Sequence, residues 1–453
     1  MTAALTLAAV SDRVVHDRLG DLEDRVFGAT PVLAAVRRAA RSRSFGPWAV
    51  LGSLLARVVA EVPPHVVLPP TIGTVASLNL SVALVGGSGD GKSVSHQIAG
   101  EFLGTCTATL IGPGSGEGVI DTFLAWDKDQ TALMPDPMLT RALLYADEVE
   151  QMAKVGERKG ATFDTTLRSL WSGTHASTTN TKAGGRRRSL PAHTYRLAVV
   201  AGVQPAKSAV LMDDAGGTAQ RWLFLPAADP AIPDSPPPWP GALTWSPPLR
   251  NGTDRRTGLH HMTLPEVAAA FVHAQHRLRQ RDPHGGGLDS HSVLTRLKIA
   301  AALALLHGDA EVTDQAWAIS EVVLEASRRT RQTCLDALAS QERQRNAQRG
   351  RADAERQGAA EQARSERAAK NAVLLWRTVS NPTHANAKHE PDEPCTRRCF
   401  AHALRHHGGR AVVDEALAAA DDLGWIDHLT DDTGTDRWRP GPSQPSHMRE
   451  ERA

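Results

Sequence analysis

Cysteine is scarce, with four in 453 residues. That excludes a disulfide framework and predicts a reducing, cytoplasmic setting. Long hydrophobic runs are missing too: no apolar stretch approaches the ~20 residues that cross a bilayer. The opening MTAALTLAAVSDRVVHD has no basic segment ahead of its short apolar run, so no signal peptide is expected. Nor does charge of one sign prevail. Lys and Arg number 51 against 50 Asp and Glu, a net charge of +1. Any nucleic-acid binding must therefore come from local basic patches. The 41% hydrophobic content supports a sizeable core, and the length predicts about three domains.

What is present is concentrated between Ser81 and Gly100, SVALVGGSGDGKSVSHQIAG. Val82, Ala83, Leu84 and Val85 read as a buried strand. Gly86, Gly87, Ser88, Gly89, Asp90, Gly91, Lys92 and Ser93 then match G-x-x-x-x-G-K-[ST] in full, and a helical pattern follows. Strand, glycine loop and helix form the context that the P-loop motif requires. The glycines let successive N–H groups converge on phosphate oxygens, and the helix start adds the positive end of its dipole. Lys92 is expected to reach the β- and γ-phosphates and the Ser93 hydroxyl to ligate Mg²⁺. An ordinary glycine turn is the alternative. The cofactors expected are ATP and Mg²⁺.

In Arg141–Met152, RALLYADEVEQM, a continuous apolar strand ends in an acid pair, the pattern of a Walker B motif. Asp147 is expected to hold Mg²⁺ together with Ser93, and Glu148 to act as general base on water. The second acid favours hydrolysis over small-molecule phosphorylation. The strand RLAVVAG, residues 196–202, ends just before Gln204, a candidate γ-phosphate sensor. Arg221, ahead of the apolar run Trp222–Phe224, is a candidate arginine finger acting on a neighbouring subunit's nucleotide; a surface arginine at a strand start is the alternative. On the apolar pattern Leu294–Leu306, Arg296 is a candidate second sensor, against a solvated charge.

Two β-prone runs flank Ala183-Gly184-Gly185 and read as a hairpin. Its tip carries Lys182, Arg186, Arg187 and Arg188, four mutually repelling cations that suit a polyanion such as single-stranded DNA. Arg37, Arg38, Arg41 and Arg43 form a second basic cluster, read as a solvated helix face or a DNA contact. Residues 226–248 are proline-rich and read as a linker or surface excursion. Near the C-terminus, three helical patterns and a hairpin predict a winged-helix-like domain, a class that binds duplex DNA through its third helix. Here that helix bears Asp414, Glu415, Asp421 and Asp422, which repel phosphate, so a protein contact is the alternative. Cys395 and Cys399 sit on one helical pattern with no second pair, a poor zinc signature.

The expected fold is thus an α/β P-loop NTPase core (AAA+ or helicase-like) with helical additions. The expected divisions are a lead-in at 1–26, a helical module at 27–78, the ATPase core at 79–256, a helical lid at 257–340, a charged helix or linker at 341–371, the winged-helix-like domain at 372–441 and a tail at 442–453.

The succession VALVGGSGDGKS, GSGEG, LLYADEVEQM, LWSG, LAVVAGVQP, RWLF and RLKIAAALALLHG resembles the helicase-type P-loop ATPases of actinobacterial phage, plasmid and integrated-element replication proteins. The likeness runs from about residue 27 to about residue 335. It implies a ring oligomer, a hexamer, with ATP at subunit interfaces, and a DNA-contacting hairpin at Lys182–Arg188. Such proteins often accompany a primase-polymerase. The stretch lacks a primase domain, so priming, where it is needed, is expected to come from a separate primase. The function expected is an ATP-driven DNA translocase or helicase in replication of a mobile element. The rival is a nucleotide-switched DNA-binding initiator or regulator using the winged helix.

Overall fold

The computed structural model describes residues 19–104, 107–126, 133–156, 163–179, 187–212, 217–248, 254–282, 291–381 and 394–445. The chain divides into two compact units, Met1–Glu342 and Arg343–Ala453.

The first unit is built on a five-stranded parallel sheet. Its strands are β1 (Leu80–Val85), β2 (Thr109–Ile111), β3 (Arg141–Ala146), β4 (Arg196–Val203) and β5 (Trp222–Pro226), in the order β5-β1-β4-β3-β2. Every pairing is parallel. β1, β4 and β5 are buried throughout, as expected for parallel strands covered on both faces. Alternate residues feed two separate cores. Leu80, Val82, Leu84, Val200 and Leu225 belong to one, and Ala83, Val85, Leu144, Val199 and Phe224 to the other.

The first core is organised by α2 (Pro47–Glu61), which follows α1 (Pro31–Ser42). All 15 residues of α2 are buried, Arg57 and Glu61 included. A helix apolar on all sides belongs inside a domain, and this one packs against the sheet, the P-loop helix α3 (Lys92–Leu103) and the later helix α4 (Ser292–Leu306). Its charged residues are satisfied locally. The Glu61 carboxylate accepts from the Thr107 and Ala108 backbone N–H groups at 2.7 and 3.1 Å. One core therefore runs through the segments 27–78, 79–256 and 257–340, and the boundaries drawn from sequence do not separate packing units there.

The proline-rich stretch departs from the reading as a linker. It lies irregular but packed: Trp239 meets Phe102 edge-on at 6.2 Å, Leu243 N–H donates to Phe102 O, and Trp245 Nε1 donates to Leu305 O at 2.8 Å. The prolines forbid a ladder, while the two tryptophans supply the burial. The basic cluster is likewise engaged. Arg37 pairs with Asp24, Arg41 with Glu23 and Asp229, and Arg43 with Glu101.

The second unit has its own core of Ala372, Leu375, Phe400, Val413, Ala416, Ile426 and Trp438. Its elements are the C-terminal part of a helix Asp314–Ser380, a short strand Cys395–Thr396, helices Arg397–Ala403 and Val413–Asp422, and the hairpin Ile426–Thr430 with Asp436–Pro440. Cys395–Thr396 pairs with the second hairpin strand to complete a three-stranded sheet. Residues 354–366 of the long helix are exposed. Cys395 and Cys399 are buried in this core, and no group of three metal-ligating side chains occurs among the described residues. No described helix is long and apolar enough to cross a membrane.

Candidate nucleotide site

The loop Gly86–Ser93 leaves the carboxyl end of β1 and turns directly into α3. Gly91 is its pivot. It has φ of +79°, and a Cβ there would lie 2.1 Å from the Phe45 ring, so both backbone and space demand glycine. Lys92 Nζ donates to Gly86 O at 2.9 Å and to Gly87 O. Burial lowers its pKa, opposed by Asp90, Glu148 and Asp147. The Asp90 carboxylate accepts from Gly87 N–H at 2.5 Å. Ser88 and Gly89 at the loop crest are exposed.

β4 lies between the P-loop strand and the acid strand, with Val203 opposite Val85 and Ala201 opposite Ala146. Asp147 and Glu148, both exposed, therefore emerge at the same edge of the sheet as the loop. The approach is tight: a Cβ on Gly202 would sit 2.1 Å from Asp147 O and 3.4 Å from Lys92 Cε. At the end of β4, Gln204 Nε2 donates to Glu148 Oε1 at 3.3 Å. Sequence reasoning had nominated these residues separately; the sheet order brings them together. Asp147 Oδ1 accepts from the Tyr145 hydroxyl at 2.9 Å. The Asp147 carboxylate and the Ser93 alcohol, oxygen donors only, are of the kind that a hard divalent cation such as Mg²⁺ takes.

Two nominated arginines are elsewhere. Arg221 precedes β5, whose Trp222 lies opposite Ser81, so it stands at the amino ends of the strands. Six strand residues, roughly 20 Å, separate that edge from the loop. Its Nη1 donates to Gly217 O at 2.7 Å, and its guanidinium lies over Trp171. It does not approach the nucleotide loop of its own chain. Arg296 is corrected more firmly. Its neighbour Thr295 bonds Gln220 O at that same amino edge. Its guanidinium is buried against Trp317 at 3.6 Å and ion-paired with Glu321. A cation held by a carboxylate and two rings at the far edge is a packing residue, not a sensor for this loop.

The basic hairpin forms, with Ala176–Thr179 antiparallel to Arg187–Leu190. Lys182, Arg186 and the Arg187 side chain lie outside the described residues. Arg188 is bound bidentately by Asp121, at 2.6 and 3.0 Å. It belongs to the hairpin's anchorage rather than to its tip.

Sequence reasoning missed Tyr145, His96 and Arg57. Tyr145 reads as one more apolar strand residue. His96 stacks on it, centroids 4.2 Å apart, and Arg57 donates to His96 Nε2 at 3.0 Å. The signal was a lone arginine inside an otherwise apolar helix. Burial, aided by Arg57, lowers the His96 pKa from 6.5 to about 3. The unfolded chain therefore binds the extra proton first as pH falls below about 6.5, and stability rises with pH between about 3 and 6.5. His291, lowered to about 4 mainly by burial, acts in the same sense. His96→Gln is expected to flatten the slope of unfolding free energy against pH between about 4 and 6. Urea titrations at several pH values check this, and an unchanged slope contradicts it.

Comparison with protein-family models gives no match to this chain, and comparison with curated proteins gives none either.

Proposed function

We propose that the chain is an ATP hydrolase that works on DNA as a translocase or helicase. The observation that carries the hydrolytic half is the contact between Gln204 and Glu148 beside Lys92 and Asp147. An exposed carboxylate oriented by an amide, one strand away from a phosphate-binding loop, suits activation of water on a γ-phosphate. In this reading Lys92 and the loop N–H groups bind the phosphates, while Ser93 and Asp147 hold Mg²⁺, whose charge eases phosphoryl transfer. Glu148 takes the water proton, and Gln204 keeps the carboxylate aimed. A small-molecule kinase would leave Glu148 without a role.

The DNA half rests on the hairpin, its basic turn and the family resemblance. Sequence-tolerant contacts to a single strand are the kind that a cluster of cations makes. A hexameric ring follows from the resemblance, with Arg221 serving a neighbour's nucleotide, for it cannot serve its own. A role in mobile-element replication beside a separate primase belongs to the same proposal.

A switch-type DNA-binding reading is favoured by one observation in the second unit. Asp414 and Glu415, which would repel phosphate, are ion-paired with Arg397 and Arg364. That relieves part of the objection to duplex binding by a winged-helix-like domain. ATPase rates with and without single-stranded DNA separate the two readings, using wild type and the combined Lys182→Ala, Arg186→Ala, Arg187→Ala variant. Arg188 is left intact because it anchors the hairpin. Stimulation that the variant loses supports the motor. An unstimulated rate with intact duplex binding overturns it in favour of the switch.

A further inference from the structure

We infer that Tyr145 is a positioning residue for the metal site, the last member of a relay that sets the Asp147 carboxylate. The inference rests on the nucleotide-hydrolase reading and names a residue to which the acid-pair motif assigns no role.

The direction of each bond follows from the groups. The Tyr145 hydroxyl lies 2.9 Å from Asp147 Oδ1. A carboxylate only accepts, so the phenol donates its single proton there. Asp147 has one oxygen engaged by the phenol and the other left for the metal or its water.

The ring is fixed in turn. His96 stacks on it nearly parallel, 13° from coplanar. Its Nε2 accepts from Arg57 Nη2, and Arg57 also donates to His96 O at 3.2 Å. Because arginine always donates, Nε2 is the unprotonated nitrogen and the imidazole is held as one tautomer. Arg57, His96 and Tyr145 thus run without a gap from the buried helix α2 to the acid strand. A metal ligand that must present lone pairs gains from such pre-orientation, since its rotor is already set when the ion arrives.

The relay predicts a defect in metal use rather than in nucleotide binding as such. The test is ATP binding to the full chain by calorimetry, in EDTA and across a Mg²⁺ series, for wild type and Tyr145→Phe. Phenylalanine keeps the ring and its stack and removes only the hydroxyl. The variant should bind ATP in EDTA as wild type does, while the Mg²⁺ concentration for half-maximal tightening rises about tenfold, as expected for loss of a charge-assisted bond. Ser93→Ala sets the scale of losing a ligand outright, and thermal melting checks that each variant is folded. A Mg²⁺ dependence in Tyr145→Phe equal to wild type overturns the relay and leaves the hydrolase reading standing. Absence of ATP binding by wild type in Mg²⁺ overturns both.

Discussion

Glu148→Gln is expected to lower ATP turnover by roughly 10²- to 10⁴-fold, the usual contribution of a positioned general base, and to leave ATP binding intact. The amide keeps a carbonyl oxygen where Glu148 Oε1 accepts from Gln204, so the local hydrogen bond survives. What it loses is the capacity to take a proton from water. Lys92→Ala separates binding from chemistry. In the proposed reading Lys92 belongs to the loop that would receive the phosphates, and its ammonium is held there against Gly86 O and Gly87 O. Its loss should abolish ATP binding as well as turnover. Phosphate release under single-turnover conditions, read beside an ATP titration, distinguishes the two variants. Turnover in Glu148→Gln within about threefold of wild type would remove Glu148 from the mechanism, since a general base cannot be lost at so small an effect.

The residues proposed to touch phosphate were legible because local chain geometry dictates them. The octet Gly86–Ser93 directly after an apolar run has few structural meanings, and the positive φ of Gly91 is what its last glycine supplies. The acid pair and Gln204 were legible one by one, as polar residues that end buried strands. Their meeting was not, because it depends on β4 inserting between β1 and β3, a pairing between segments more than a hundred residues apart in one case. The misreading of Arg296 has the same origin. Its position on a helix after the ATPase motifs says nothing about which edge of the sheet that helix caps, and the register of Lys298 on Asn79 O puts it at the amino edge. The proline-rich strap illustrates a different limit: composition reports the absence of a ladder, not the absence of packing. Arg57 and Tyr145 were hidden because burial and a ring stack across two elements leave no local pattern.

Arg196→Met is expected to destabilise the first unit by about 2–4 kcal/mol, because buried acceptors lose their donor. Arg196 is fully buried, and among the described residues no carboxylate is paired with it. Its guanidinium instead donates to Val62 O, Pro63 O and Val66 O, to Ser77 Oγ and to Asn79 Oδ1. Two effects oppose each other. Burial pushes the pKa down to about 9, so the fold already bears a cost for holding the charge, and methionine removes that cost. Against this, the variant strands buried acceptors at about 1–3 kcal/mol each. Pro63 O retains the Val66 N–H, Asn79 Oδ1 the Leu197 N–H and Ser77 Oγ the Asn79 N–H, which leaves Val62 O and Val66 O most exposed to the loss. Two stranded acceptors outweigh the relief, because they also mark where α2 ends and where the following strand begins. The amino edge of the sheet is tied at one point by one side chain, and the same edge carries Lys298, a second buried cation bonded to carbonyls. Urea unfolding of the full chain, followed by circular dichroism, reads the loss, and Arg196→Lys should recover only part of it, since an ammonium cannot span all five acceptors. Full stability in the methionine variant would mean that water enters and satisfies the carbonyls, and that the edge is held by the apolar core alone.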